Sequence, residues 1–233
     1  MRPFLRNYYT MEKEVRNLDI DLRFSDGESR EVSGYAIVFN SLSHDLGGFR
    51  EEIMPSALEG VIERSDCVAL LNHDPKRGIL GRSRNGKGSL RLSVDETGML
   101  FDFDAPKTAL GDETLEYLRR GDATQCSFAF TIADGGDKWT KQSDGTYLRQ
   151  ITQFDRIYDC SILTCTPAYE ATSVSCKRFE EVKEEEKAEN ERKLAELKAE
   201  EERQAAEAEE ARKQALAEYY TNLKEEYKDI LEK

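Results

Sequence analysis

The chain has only two histidines, and one of them, His73, closes an apolar run that ends in an acid: Val68-Ala69-Leu70-Leu71-Asn72-His73-Asp74. The run reads as a short buried strand and Pro75 breaks it, so the imidazole is delivered to a sheet rim rather than to a core. Histidine is the side chain whose ordinary pKa lets it take and return a proton near neutrality. For chemistry that uses a side-chain base, His73 is the first candidate. A hydroxyl for it to activate stands at Ser127, within Arg119-Arg120-Gly121-Asp122-Ala123-Thr124-Gln125-Cys126-Ser127-Phe128-Ala129-Phe130. There a helix ends, Gly121 turns the chain, and a strand begins with Cys126, Phe128 and Phe130 on one face. Ser127 and Ala129 fall on the other face. A serine within reach of a base can attack a carbonyl group, but a serine between apolar neighbours on a strand is also an ordinary sheet residue. Residue types alone leave both readings open.

The elements that must position these residues read as mainly β. Leu18, Ile20, Leu22 and Phe24 alternate with polar residues, as in a half-buried strand. Glu31–Phe39, Val68–Leu71 and a hairpin through Leu90–Val94 and Met99–Asp104 follow, then strands at 123–133, 146–154 and 157–165. Two helices interrupt them. One, over Pro55–Arg64, sets Leu58, Val61 and Ile62 on one face. The other spans 112–120, with an acidic start (Asp112, Glu113), a basic end (Arg119, Arg120) and Gly121 as terminator. Many short strands with few helices predict a barrel or strongly bent sheet with helices outside it.

Composition narrows the function classes. The net charge of −13 argues against duplex nucleic acid as the main partner. Five cysteines (Cys67, Cys126, Cys160, Cys165, Cys176) without a C-x-x-C pair read as free thiols in a reducing compartment. No apolar run is long enough to span a bilayer, and the N-terminus lacks the apolar core of a signal peptide. There is no Gly-rich phosphate loop, nucleotide fingerprint or metal-ligand cluster, so no cofactor is expected. The character changes after Phe179. Residues 179–233 hold 11 Lys/Arg against 19 Asp/Glu and contain neither Pro nor Gly. Ala205, Ala208, Ala211, Ala215, Tyr219, Leu223, Tyr227 and Ile230 form one helical stripe. This segment is either a solvated, partly disordered tail or a coiled-coil or partner-docking arm.

Competing residues have plain readings. His44 lies in a polar loop, Cys126 points away from Ser127 as a buried thiol, and Asp74 suits a local turn at Pro75. Ser161 lies two residues after Asp159 on the same strand face, where it can line a site. Taken in order, Phe49-Arg50-Glu51-Glu52-Ile53-Met54-Pro55-Ser56-Ala57-Leu58, Leu71-Asn72-His73-Asp74, Ile79-Leu80-Gly81-Arg82, Asp95-Glu96-Thr97-Gly98-Met99, Leu118-Arg119-Arg120-Gly121-Asp122, Cys126-Ser127-Phe128-Ala129-Phe130, Tyr158-Asp159-Cys160-Ser161-Ile162-Leu163 and Pro167-Ala168-Tyr169 form a set. That set resembles the prohead (head-maturation) serine proteases of tailed phages, relatives in fold of the herpesvirus assembly proteases.

The resemblance covers about residues 15–178. It implies a herpesvirus-protease-like β-barrel with flanking helices, preceded by an arm at 1–14 and followed by the helical extension at 179–233. It carries the family's histidine onto His73 and its serine onto Ser127. Asp159 stands where the family usually has the acid of a Glu-x-Ser motif, one methylene shorter. The implied activity is that of a serine endopeptidase with Ser127 as nucleophile, His73 as general base and Asp159 as orienting acid. Arg119 and Arg120 are candidates for charge near the oxyanion, since an arginine serves there in the viral relatives; as cations at a helix C-terminus they have an equally good structural reason. The implied substrates are the scaffold or delta segment of the major capsid protein, the protease itself and a portal protein. The implied place is the prohead in the host cytoplasm. The alternative is a non-catalytic scaffold or adaptor of capsid assembly that keeps the fold.

Overall fold

The computed structural model describes residues 13–19, 23–24, 29–164 and 173–231. In chain order the strands are β1 (Glu14–Asp19), β2 (Arg23–Phe24), β3 (Glu31–Val38), β4 (Phe49–Ile53), β5 (Asp66–Leu71), β6 (Gly81–Arg84) and β7 (Lys87–Gly88). They continue as β8 (Leu90–Val94), β9 (Gly98–Asp104), β10 (Gln125–Ile132), β11 (Asp137–Lys141), β12 (Tyr147–Ile151) and β13 (Phe154–Leu163). Helix α1 spans Ala109–Arg120 and α2 spans Ser173–Leu231. The chain is therefore mostly β with a long C-terminal helix. It divides into two compact units, 1–179 and 180–233.

The strands form three sheets, ordered β1-β10-β13-β5-β6-β7, β2-β3-β9-β8 and β11-β12-β4. This corrects the expected barrel, because the described strands do not close on themselves. The six-stranded sheet ends at β1 on one side and at the two-residue β7 on the other. Alternation in a sequence reveals that a strand is half-buried, but not which sheet it joins. The strand expected over 18–24 illustrates this. β1 joins β10 and β2 joins β3, and residues 20–22 between them lie outside the described residues.

The core is filled from all three sheets. Ile37, Phe101 and Phe103 come from one, Ile53 and Ile151 from another, and Cys126, Phe128, Phe130, Ile157 and Ile162 from the six-stranded sheet. The 112–120 helix is present and begins earlier, since the Thr108 hydroxyl caps it by accepting from the Gly111 N–H at 3.3 Å. Gly121, at φ 73°, ends it in the left-handed conformation. The helix expected over 55–64 is instead two short 3-10 turns, Pro55–Leu58 and Ile62–Arg64. Gly60, at φ 64°, interrupts the helical path between them.

At the end of the first unit, Phe179 packs against Phe49, Trp139 and Tyr147. In the second unit α2 is solvated. Pairs such as Glu189–Lys193 and Glu209–Lys213 link successive turns, while Leu194, Leu197, Leu216, Tyr219 and Tyr220 stay exposed.

Candidate active site

Three adjacent strands of the six-stranded sheet bring the site together. β10 and β13 are antiparallel with Ser127 opposite Ser161, and β13 and β5 are parallel with Asp159 opposite Val68. At the end of β5 the chain turns through Asn72 (φ 56°) and His73 (φ 55°), two consecutive left-handed residues. That conformation is unfavourable for a side chain such as histidine and persists only where the surroundings enforce it. Here the Asn72 carboxamide does so. Its Nδ2 donates to Thr164 Oγ1 at 2.8 Å, and its Oδ1 accepts from the Thr164 N–H at 2.9 Å. Asp74 then caps the turn Pro75–Arg77 by accepting from the Lys76 N–H at 3.0 Å. The local-turn reading of Asp74 is the one observed.

The imidazole of His73 consequently lies over the sheet with both nitrogens engaged. Its Nε2 is 2.6 Å from Ser127 Oγ and its Nδ1 is 2.7 Å from Asp159 Oδ1. With the ring proton assigned to Nδ1, Nδ1–H donates to the carboxylate and Nε2 is free to accept from the serine hydroxyl. Ser161 Oγ, the serine expected to line the site, donates to Asp159 Oδ1 at 2.8 Å and lies 3.1 Å from His73 Nδ1. Asp159 therefore has a second hydrogen-bonding partner besides the histidine, which fixes its rotamer. Ser127 is completely buried, while the His73 and Asp159 side chains keep 24 % and 12 % exposure.

Arg119 and Arg120 are not drawn into this cluster. They are exposed at the end of α1, where Arg119 pairs with Glu116 and Arg120 with Asp122. His44 is exposed in a loop, and Cys126 faces the core, where burial and the nearby Asp159 charge push its thiol well above the ordinary range. A surface groove lined by Leu58, Ile62, Gly86 and Val94 contains none of the site residues. No group of metal-ligating side chains forms among the described residues.

Sequence reasoning missed a second cluster beside the first. β1 covers β10 with Asn17 opposite Ser127, and its Arg16 is buried between Glu14 and Glu51. Arg16 reaches Glu51 with Nε and Nη2 at 2.8 and 2.7 Å. Arg149 of β12 bonds Glu14, Glu51 and Asp137 at 2.7, 3.0 and 2.9 Å. Burial alone would raise the Glu14 pKa, but the Arg149 and Arg16 guanidiniums outweigh it and hold the carboxyl below its ordinary range. Burial likewise disfavours the Arg149 cation, and Glu14, Glu51 and Asp137 more than offset it. The one visible signal was Glu51, an acid at an inward position of Phe49-Arg50-Glu51-Glu52-Ile53.

A serine, a histidine and a carboxylate joined in that order make the constellation by which serine hydrolases are recognised. The family model for the caudovirus prohead serine protease matches residues 17–185, well over half of the chain. The chain belongs to that family, which supports a role in capsid maturation. No curated protein matches it in sequence. Among solved structures it is similar to the capsid assembly protease of bacteriophage T4, at 8 % identity and a TM-score of 0.39, over 67 % of this chain and 99 % of that one.

Proposed function

We propose that the chain is a serine endopeptidase in which Ser127 is the nucleophile, His73 the general base and Asp159 the residue that holds it. The observation that carries this reading is the contiguity of the three groups, with Asp159 Oδ1 2.7 Å from His73 Nδ1 and Ser127 Oγ 2.6 Å from His73 Nε2. The Ser127 proton passes to His73 Nε2 as Oγ attacks the peptide carbonyl. Asp159 stabilises the imidazolium that results, and the imidazolium then protonates the departing amine. Water repeats the sequence on the acyl-enzyme and frees the serine.

The substrates proposed are the scaffold or delta segment of the major capsid protein, the protease itself and a portal protein, met inside the prohead. The protease domain expected at 15–178 would then begin one residue earlier, at Glu14 of β1. The rest of the arm expected at 1–14 lies outside the described residues except for Lys13, and 179–233 would dock the domain to scaffold or capsid subunits or to a second copy by coiled-coil pairing. One observation favours the rival, a non-catalytic assembly protein: Ser127 has no exposed surface. Co-expression with the capsid protein separates the two readings. Wild type trims the capsid protein and itself, Ser127→Ala trims neither, and equal processing by both would refute the assignment. A chain ending at Arg178 should enter proheads less than full-length chain; equal incorporation would remove the docking role of the tail.

A further inference from the structure

β1 is one of the elements that close around Ser127, with β13 on its other side and His73 against its hydroxyl. The strand lies along the outer edge of β10 in the register Arg16↔Phe128 and Asn17↔Ser127, at the end of the six-stranded sheet. Ser127 Oγ, 2.6 Å from His73 Nε2, is also 2.9 Å from the main-chain carbonyl oxygen of Arg16. We infer that β1 occupies the edge of β10 on which an extended peptide substrate pairs, so that the enzyme is closed as described and opens by releasing this strand. The inference rests on Ser127 being the nucleophile.

Two features beyond the burial carry it. A peptide to be cleaved must bring a backbone carbonyl beside Ser127 Oγ, and the Arg16 carbonyl oxygen, which accepts from that hydroxyl at 2.9 Å, takes up space beside it. A hydroxyl has one proton, so a serine that donates to Arg16 cannot at the same time donate to Nε2. The occupant thus fills the substrate's place and competes with His73 for the proton that catalysis must move. Addition of an extended segment to a sheet edge is a general way to bind peptides, with main-chain hydrogen bonds giving affinity.

The second feature is the manner of attachment. Removing one member of a buried ionic group strands an uncompensated charge. β1, however, contributes one charge of each sign, Glu14 and Arg16. Once it leaves, Arg149 still bonds both Glu51 and Asp137, at 3.0 and 2.9 Å. The net charge of the residues left behind is the same as before. The strand is held firmly, yet what it withdraws from the buried ionic group is a neutral pair.

The test ties β1 down. Asp19 and Gln125 are opposite each other at the end of the pairing, so Asp19→Cys with Gln125→Cys in the full-length chain can be joined by diamide, which takes up the two hydrogens as the S–S bond forms. The readout is the rate at which a fluorophosphonate probe labels Ser127, with the tether verified by peptide mass. Labelling of the tethered form should be at least about tenfold slower than that of the same chain after reduction, because the competent state is withdrawn. Wild type treated with diamide is the control for its own thiols, Cys67 and Cys160 with sulfurs 3.8 Å apart and the exposed Cys176, and the slowing in the tethered form must exceed any seen there. Equal rates with and without the tether would overturn the inference while leaving Ser127 as nucleophile. A serine that reacts in neither form nor in wild type would remove both the nucleophile assignment and the inference. A second variant, Asn17→Pro, loosens the strand opposite Ser127 and should label faster than wild type; an unchanged rate in a folded chain also counts against it.

Discussion

Asn72 and Thr164 hold each other by two hydrogen bonds, and this clasp fixes the left-handed turn that carries His73. The imidazole is therefore aimed by a residue whose side-chain hydrogen bonds go to Thr164 and not to Ser127 or Asp159. Asn72→Ala should lower kcat by about ten- to a hundredfold through misplacement of the base, with KM changed little. Asn72→Gly tolerates the backbone conformation but lacks the clasp, so it should lose as much. Steady-state kinetics on a processed capsid segment decide this, and a fully active glycine variant would show that the backbone, not Thr164, matters.

Asp159 and Ser161 should separate by size of effect. Asp159→Asn leaves the shape intact but favours the wrong imidazole tautomer, and a loss in kcat of about 10⁴ is expected on the serine-protease template. Ser161→Ala removes one bond to Asp159 and should reduce the rate only about tenfold. Equal effects of the two changes, measured on the same substrate, would contradict the roles assigned.

Arg149 touches three carboxylates with almost no exposed surface. Arg149→Met leaves Glu51 and Asp137 buried with fewer partners and should destabilise by about 3–5 kcal/mol in chemical denaturation. Arg119→Ala, which removes an exposed pair at the end of α1, should leave both stability and activity unchanged.

The clasp on β1 should weaken in acid. Arg149 and Arg16 outweigh burial and hold the Glu14 carboxyl below its ordinary value of 4.5. Folding therefore favours the ionised form. Its contribution is complete above 4.5 and is lost as pH falls through the lower folded-state value. Hydrogen exchange of the β1 and β10 amides, corrected for intrinsic rates, should rise as pH is lowered from roughly 6 to roughly 3.5. Glu14→Gln should flatten that rise.

Much of this was legible in the residues. His73 at the end of an apolar run and Ser127 across from the core face of Phe128 and Phe130 could be found by pattern. The C-terminal end of α1 was legible because Arg120 and Gly121 mark it, while its start was read three residues late because the Thr108 cap was passed over. The strands at Phe49–Ile53 and Asp137–Lys141 were not, because their inward or half-buried positions include Glu51 and Asp137, which are buried only through partners distant in sequence. The failed barrel has a similar origin. Alternation is local, whereas the division into three sheets depends on pairings such as β12 with β4 that span about a hundred residues.

The parallel pairing of β5 with β13 also sets a schedule. Some eighty residues of chain must be made between these strands before Asp159 can lie beside the histidine turn, and such distant parallel contacts form late and slowly. A nascent chain still lacking β13 has His73 and Ser127 but neither the carboxylate nor Thr164. On the proposed triad, a nascent chain stopped before β13 lacks the carboxylate that would orient its histidine.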